Sequence, residues 1–100
     1  MIEHIVLIRW KEGTSREQVD AVLALARIME GIDGVRGVSC RPKLGSNGRD
    51  KGIADVMVVR MADEAALARF GPHPLHKEFG ARMVPLVEDL TIVDVMATDG

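Results

Sequence analysis

Three stretches of this chain are apolar on both of their alternating sides, and a chain of 100 residues has no means of covering both. In the first, Ile2, Val6 and Ile8 alternate with Ile5 and Leu7; in the second, Met57, Val59 and Met61 alternate with Val56 and Val58; in the third, Leu90 and Ile92 alternate with Val93 and Val95. Successive side chains of a strand point to opposite faces of a sheet, so each stretch presents hydrocarbon on both faces. Helices of the same chain can cover one of them. The other is left for another molecule, and the pattern predicts a homodimer in which two sheets pack face to face.

The elements between these strands set the topology. Ile2 to Trp10 reads as a strand, and Ser15 with Gln18 forms a capping box at the start of a helix. Val19, Val22, Leu23, Leu25, Ala26, Ile28 and Met29 then recur at helical spacing, and the helix ends near Gly31 to Gly34. Val35 to Pro42 is a second strand, joined through the turn residues Gly45-Ser46-Asn47-Gly48 to a third from Ile53 to Met61. Asp63 caps a short helix through Phe70. Gly71 and Pro72 end it, and a last helix opens at His73 and Pro74 and runs to about Val87. Thr91 to Met96 is the fourth strand. The order β-α-β-β-α-β, with the extra short helix before the last one, is the split βαβ arrangement of an α+β, ferredoxin-like domain with a four-stranded antiparallel sheet. One domain spanning residues 1–100 is expected.

Composition removes several classes of function. Thirteen basic and fifteen acidic residues are dispersed along the chain for a net charge of -2, without the basic block that phosphate-backbone binding uses. Nucleic acid is therefore not an expected partner. The single cysteine, Cys40, cannot form an intramolecular disulfide, which points to a cytoplasmic protein. No apolar run approaches the roughly 20 residues of a spanning helix, and Met1-Ile2-Glu3-His4 has no basic segment before an apolar one, so a soluble protein with no membrane partner is expected. Tyrosine is absent, which excludes a phenolic acid or base from the monomer.

Histidine carries most of the remaining chemistry, because its pKa lies near neutrality and it can take and return protons without a cofactor. In the sheet order 4-1-3-2 the last helix begins where the first strand begins and the fourth finishes. His4, the turn His73-Pro74-Leu75-His76 and Asp94 are thereby brought to one end of the domain. The reading is His76 as general base oriented by Asp94, with His4 polarising a carbonyl oxygen and His73 acting as helix cap or touching a ligand. His73 and His76 stand at a spacing that suits a metal, but without a clear third ligand no metal site is expected. No cofactor is expected either.

At these residues the chain resembles the stress-responsive A/B barrel domain family, of the dimeric α+β barrel superfamily. The resemblance rests on His4-Ile-Val-Leu-Ile-Arg-Trp10, Ala54-Asp55-Val56, the His73-Pro-Leu-His76 turn followed by Phe79, and the closing Ile92-Val93-Asp94. It implies a ferredoxin-like fold and an obligate dimer whose sheets form a barrel. A plant polyketide cyclase of the family performs a cofactor-free aldol condensation, and its essential histidines match His4 and His76, its partner aspartate Asp94. The family's tyrosine before the His-Pro turn is Phe70 here, and a further pocket histidine of the cyclase falls at Asp55. Phe70 and Asp55 are therefore expected at the ligand.

Other features have two readings each. Met57, Met61, Met83 and Met96 suit either the lining of a pliable pocket, with Met57 at the ligand, or core filler. Arg9 and Arg60 suit a carboxylate ligand or paired charges at a dimer edge. Gly45 to Gly48 precedes a strand rather than a helix N-terminus and is a hairpin loop, not a phosphate cradle. The functional expectation is a small dimeric protein performing cofactor-independent acid/base chemistry, cyclase- or lyase-like, on a hydrophobic carbonyl compound. The alternatives are a non-catalytic stress-response or ligand-binding dimer, and a cofactor-free monooxygenase of the kind found in the superfamily.

Overall fold

A computed structural model describes residues 1–97. The strands are β1 (Ile2–Trp10), β2 (Val35–Pro42), β3 (Asp55–Met61) and β4 (Val87–Met96), and the helices are α1 (Arg16–Leu25), α2 (Glu64–Phe70) and α3 (Pro74–Met83). The sheet order is β2-β3-β1-β4 with every pair antiparallel. This is the α+β ferredoxin-like architecture, with α2 as the extra short helix.

Each helix starts on a side-chain cap. Ser15 Oγ accepts from the Gln18 N–H at 3.1 Å while the Gln18 side chain accepts from the Ser15 N–H at 2.9 Å, which satisfies two of the free donors at the start of α1. Asp63 accepts from the Ala66 N–H at 2.9 Å at the start of α2. His73 Nδ1 accepts from the Leu75 N–H at 3.0 Å at the start of α3, where Pro74 needs no partner for a missing N–H. Beyond Leu25 the first helix tightens into a 3-10 turn over Ala26–Gly31. Gly34 follows at φ +92°, where a Cβ would lie 2.5 Å from that of Ala66. Glycine is required there by both backbone conformation and the close approach of α2.

The core lies between the helices and one face of the sheet. Ile2, Val6 and Ile8 of β1 and Met57, Val59 and Met61 of β3 pack under Val19, Val22 and Leu23 of α1, Phe70 of α2 and Phe79 and Met83 of α3. On the other face Ile5, Leu7, Val56 and Val58 are half-buried only by their neighbours in the sheet, and Val93 and Val95 of β4 are exposed. The doubly apolar strands therefore do leave an uncovered hydrocarbon face.

The third strand starts at Asp55 rather than Ile53, and two further boundaries differ more widely from the sequence reading. The last helix stops at Met83 rather than Val87, because Pro85 falls in the 3-10 turn Val84–Leu86 that follows. β4 starts at Val87 rather than Thr91: Asp89 lies opposite Arg9 and Val87 opposite Trp10 in the β1 register, so the ladder with β1 carries Glu88 and Asp89 into the strand. Met57, Met61 and Met83 are packed in the core and Met96 is exposed, so the four methionines do not gather round one cavity.

Candidate functional site

The antiparallel register of β1 and β4 sets His4 directly opposite Asp94. Directly opposed residues hold their Cβ atoms about 5 Å apart, so the two side chains meet on the helix-facing side. His4 Nδ1 lies 2.5 Å from Asp94 Oδ1. His76 enters from the first turn of α3 and packs against the ring of Phe70, centroid to centroid 4.6 Å. The opposite side of the contact belongs to His4, whose ring meets Phe70 edge to face at 5.2 Å. Asp94, His4, Phe70 and His76 thus form one chain of contacts at the end of the domain.

The structure corrects the expected pairing. Asp94 is the partner of His4, not of His76, because strand register outranks the approach of a helix from above. Among the described residues, the Asp94 carboxylate bonds the His4 ring, and the ring contact of His76 is with Phe70. His73 takes the cap position, and its Nδ1, accepting from the Leu75 N–H, carries no proton there. Phe70, 2 % exposed, is in ring contact with both imidazoles.

The two histidines have different electrostatic surroundings. Burial pushes the His76 pKa below its ordinary value of 6.5, the Gly71 backbone opposes it, and a proton on neighbouring His4 would push it further down. His76 is therefore neutral at pH 7. His4 faces a carboxylate, which only accepts, so its hydrogen sits on Nδ1 and Nε2 keeps a lone pair. An Asp–His pair of this kind fixes one tautomer and stabilises the imidazolium that forms on proton uptake.

The His76 shift has a consequence for stability. A histidine whose pKa is lowered by folding binds its proton more readily in the unfolded chain, so stability rises with pH across the interval between the two values. The contribution is complete above about pH 6.5 and is lost as pH falls through the folded value. Denaturant midpoints for His76→Gln should therefore fall less between pH 7 and pH 5 than those of the unaltered chain; equal losses would contradict the shift.

Asp55 stands elsewhere. It pairs with Ile8, whereas His4 pairs with Val59, and four residues of strand separate the two levels by about 13 Å. The carboxylate is fully buried. It accepts from Trp10 Nε1 at 2.7 Å and from both terminal nitrogens of Arg16, at 3.0 and 2.8 Å. The expectation that Asp55 shares the histidine site is corrected on this geometry, since its acceptor capacity is spent on a Trp-Arg network. That network was legible in principle: an aspartate among Ile53, Ala54, Val56 and Met57 on the core side of a strand needs a cation. Cys40 is half-buried, and desolvation with the nearby Asp55 charge pushes its thiol up to about 11, so it is protonated and unreactive at neutral pH. Arg60 reaches Glu3 at 4.0 Å, the paired-charge reading. Among the described residues no group of three or more His, Cys, Asp or Glu is arranged to hold a metal, and no helix is long and apolar enough to cross a membrane.

A four-stranded antiparallel sheet under a helical layer defines the class of α+β ferredoxin-like domains. The chain belongs to the Stress Responsive A/B Barrel Domain family, whose pattern it matches over residues 2–97. No curated relative matches the sequence. Among solved structures it is similar to a protein of Arabidopsis thaliana, at 17% identity and a TM-score of 0.90, covering 100% of this chain and 98% of that one. It is similar to the hydroxynitrile lyase of Passiflora edulis, at 20% identity and a TM-score of 0.85, over 99% and 94% of the two chains. A dimeric ferredoxin-like protein of unknown function from Thermobifida fusca matches at 22% identity and a TM-score of 0.82, over 96% and 90%. At these identities the likeness establishes the shared fold.

Proposed function

We propose that this protein is a cofactor-independent acid/base catalyst, cyclase- or lyase-like, acting on a hydrophobic carbonyl compound or its adduct. The observation that carries the reading is the 2.5 Å contact between His4 and Asp94. His4 Nε2 removes the acidic proton, Asp94 stabilises the resulting imidazolium, and neutral His76, whose N–H faces the Gly71 backbone, offers its other ring nitrogen as an acceptor for a substrate hydroxyl. The proton returns from His4 to the product or the leaving group, so the protein ends unchanged. Phe70 in place of a hydroxyl-bearing residue gives the site an apolar wall and suits a substrate with a hydrocarbon body. That a structural neighbour is a hydroxynitrile lyase adds support for proton transfer coupled to carbon–carbon cleavage. A binding-only dimer is the second reading, favoured by the burial of Phe70 against both imidazoles.

The test offers the protein a panel of methyl ketones, β-keto esters and α-hydroxynitriles in deuterated water. Deuterium incorporation into the first two, or cyanide release from the third, should exceed the buffer rate. A panel entirely at the buffer rate contradicts catalysis and leaves the binding reading.

The same reading includes a homodimer through the uncovered sheet face. Ile5, Leu7, Val56, Val58, Val93 and Val95 form a contiguous apolar surface, and structural neighbours are described as dimeric. Sedimentation at micromolar concentration should give twice the chain mass of 10.9 kDa. Val93→Asp places a charge at the apolar face and should weaken association by about 100-fold or more. A chain sedimenting at its monomer mass contradicts the dimer.

A further inference from the structure

We propose that the cleft between α1 and the free edge of β2 is a second binding site, for a small organic carboxylate with an apolar body. The cleft has a volume of about 420 Å³, within the range of small-molecule sites. It opens between α1 and the outer edge of β2. Asp55, at its base, lies about 13 Å along the strands from the level of His4, so this site is separate from the histidine cluster.

Its chemistry is that of an anion receptor over hydrocarbon. Leu23 and Ala24 of α1 face Val38 and Pro42 of β2 and give the apolar walls. Three guanidinium groups, Arg16, Arg27 and Arg41, line the cleft against two carboxylates, Asp20 and Asp55. The Arg16 terminal nitrogens are committed to Asp55, and its Nε to Asp20 at 2.9 Å. Asp55 is thereby neutralised and unable to repel a ligand. Arg27 bonds Glu30 through Nε at 3.3 Å, which leaves its terminal amino groups for an anion, and Arg41, rooted opposite Val56 on the other face of the sheet, lines the cleft from the β2 edge.

A backbone donor completes the receptor. β2 is an edge strand, and outward N–H groups on such an edge recur at every second residue. The Val38 N–H donates to Glu30 Oε2 at 3.2 Å, so this edge is already seen to take a carboxylate of the chain itself. Cys40, two residues on, turns its N–H the same way and lines the cleft. A carboxylate that accepts from Cys40 and from Arg27 or Arg41 gains charge-assisted bonds, and its hydrocarbon body lies against Leu23, Ala24 and Pro42.

Titration of the isotope-labelled full chain with hexanoate, followed through its amide resonances, tests the proposal. Saturable shifts are expected at Leu23, Ala24 and Cys40. Hexanamide, the neutral isostere, should bind about tenfold more weakly or worse, as should the double variant Arg27→Gln/Arg41→Gln, a loss on the order of one charge-assisted bond. Ala24→Phe, which fills the cleft and leaves every charge in place, should abolish the shifts, and His4→Ala should not alter them. Shifts that fail to saturate by roughly 10 mM, equal affinity for hexanamide, or shifts centred on His4 and Phe70 would overturn it.

Discussion

His4→Ala is expected to lower the rate of the proposed proton transfer by about 10²–10⁴-fold, the usual contribution of a positioned general base. The size follows from what is removed. His4 supplies the lone pair at Nε2, and Asp94 Oδ1, 2.5 Å from Nδ1, holds the tautomer that places it there. His76 does not replace it: burial keeps its affinity for protons low, and among the described residues the Asp94 carboxylate pairs with His4 instead. His76→Ala should therefore cost less than His4→Ala on the same substrate. The reverse ranking would return the base role to His76.

Arg16→Ala is expected to destabilise the fold by about 3 kcal/mol, the lower end of the cost of stranding one member of a buried ion pair. Asp55 is fully buried and Arg16 half exposed, at 49%, so the two truncations are unequal. Without Arg16 the carboxylate keeps Trp10 Nε1 but loses its cation; water entering where the guanidinium lay limits the penalty to that lower end. Without Asp55, Arg16 turns to solvent and Asp20, and the cost is about 1–2 kcal/mol for the unpaired Trp10 donor. The loss for Arg16→Ala corresponds to a melting-temperature drop of roughly 12–24 °C for a domain of this size. Adding Asp55→Ala to Arg16→Ala should restore part of it. A loss under about 1 kcal/mol for Arg16→Ala would show that the pair behaves as an ordinary surface bridge.

The fold was legible because its signals are local and agree with one another. The Ser15–Gln18 capping box, the Asp63 and His73 caps and the period-two strands each specify one element, and their order leaves few topologies. The site was legible only to the level of which end of the domain it occupies. Whether Asp94 meets His4 or His76 depends on the residue-by-residue register of β1 and β4, and no single segment encodes a register. The Trp10–Asp55–Arg16 network escaped for a related reason: its members lie 39 and 45 residues apart in the chain. Only the Ile8–Asp55 pairing, with Trp10 two residues on from Ile8, brings them together. The extension of β4 back to Val87 was hidden by Glu88 and Asp89, whose charges read as loop until Arg9 is placed opposite Asp89.

The role assigned to the pair of His4 and Asp94 is tested most directly by the rate of deuterium incorporation into a reactive ketone by Asp94→Asn against the unaltered protein at pH 7. The substitution keeps the size of the side chain and removes the charge that stabilises the His4 imidazolium. A fall of about 100-fold or more, with sedimentation and circular dichroism unchanged, is the predicted result. Equal rates for the two proteins would contradict the assignment.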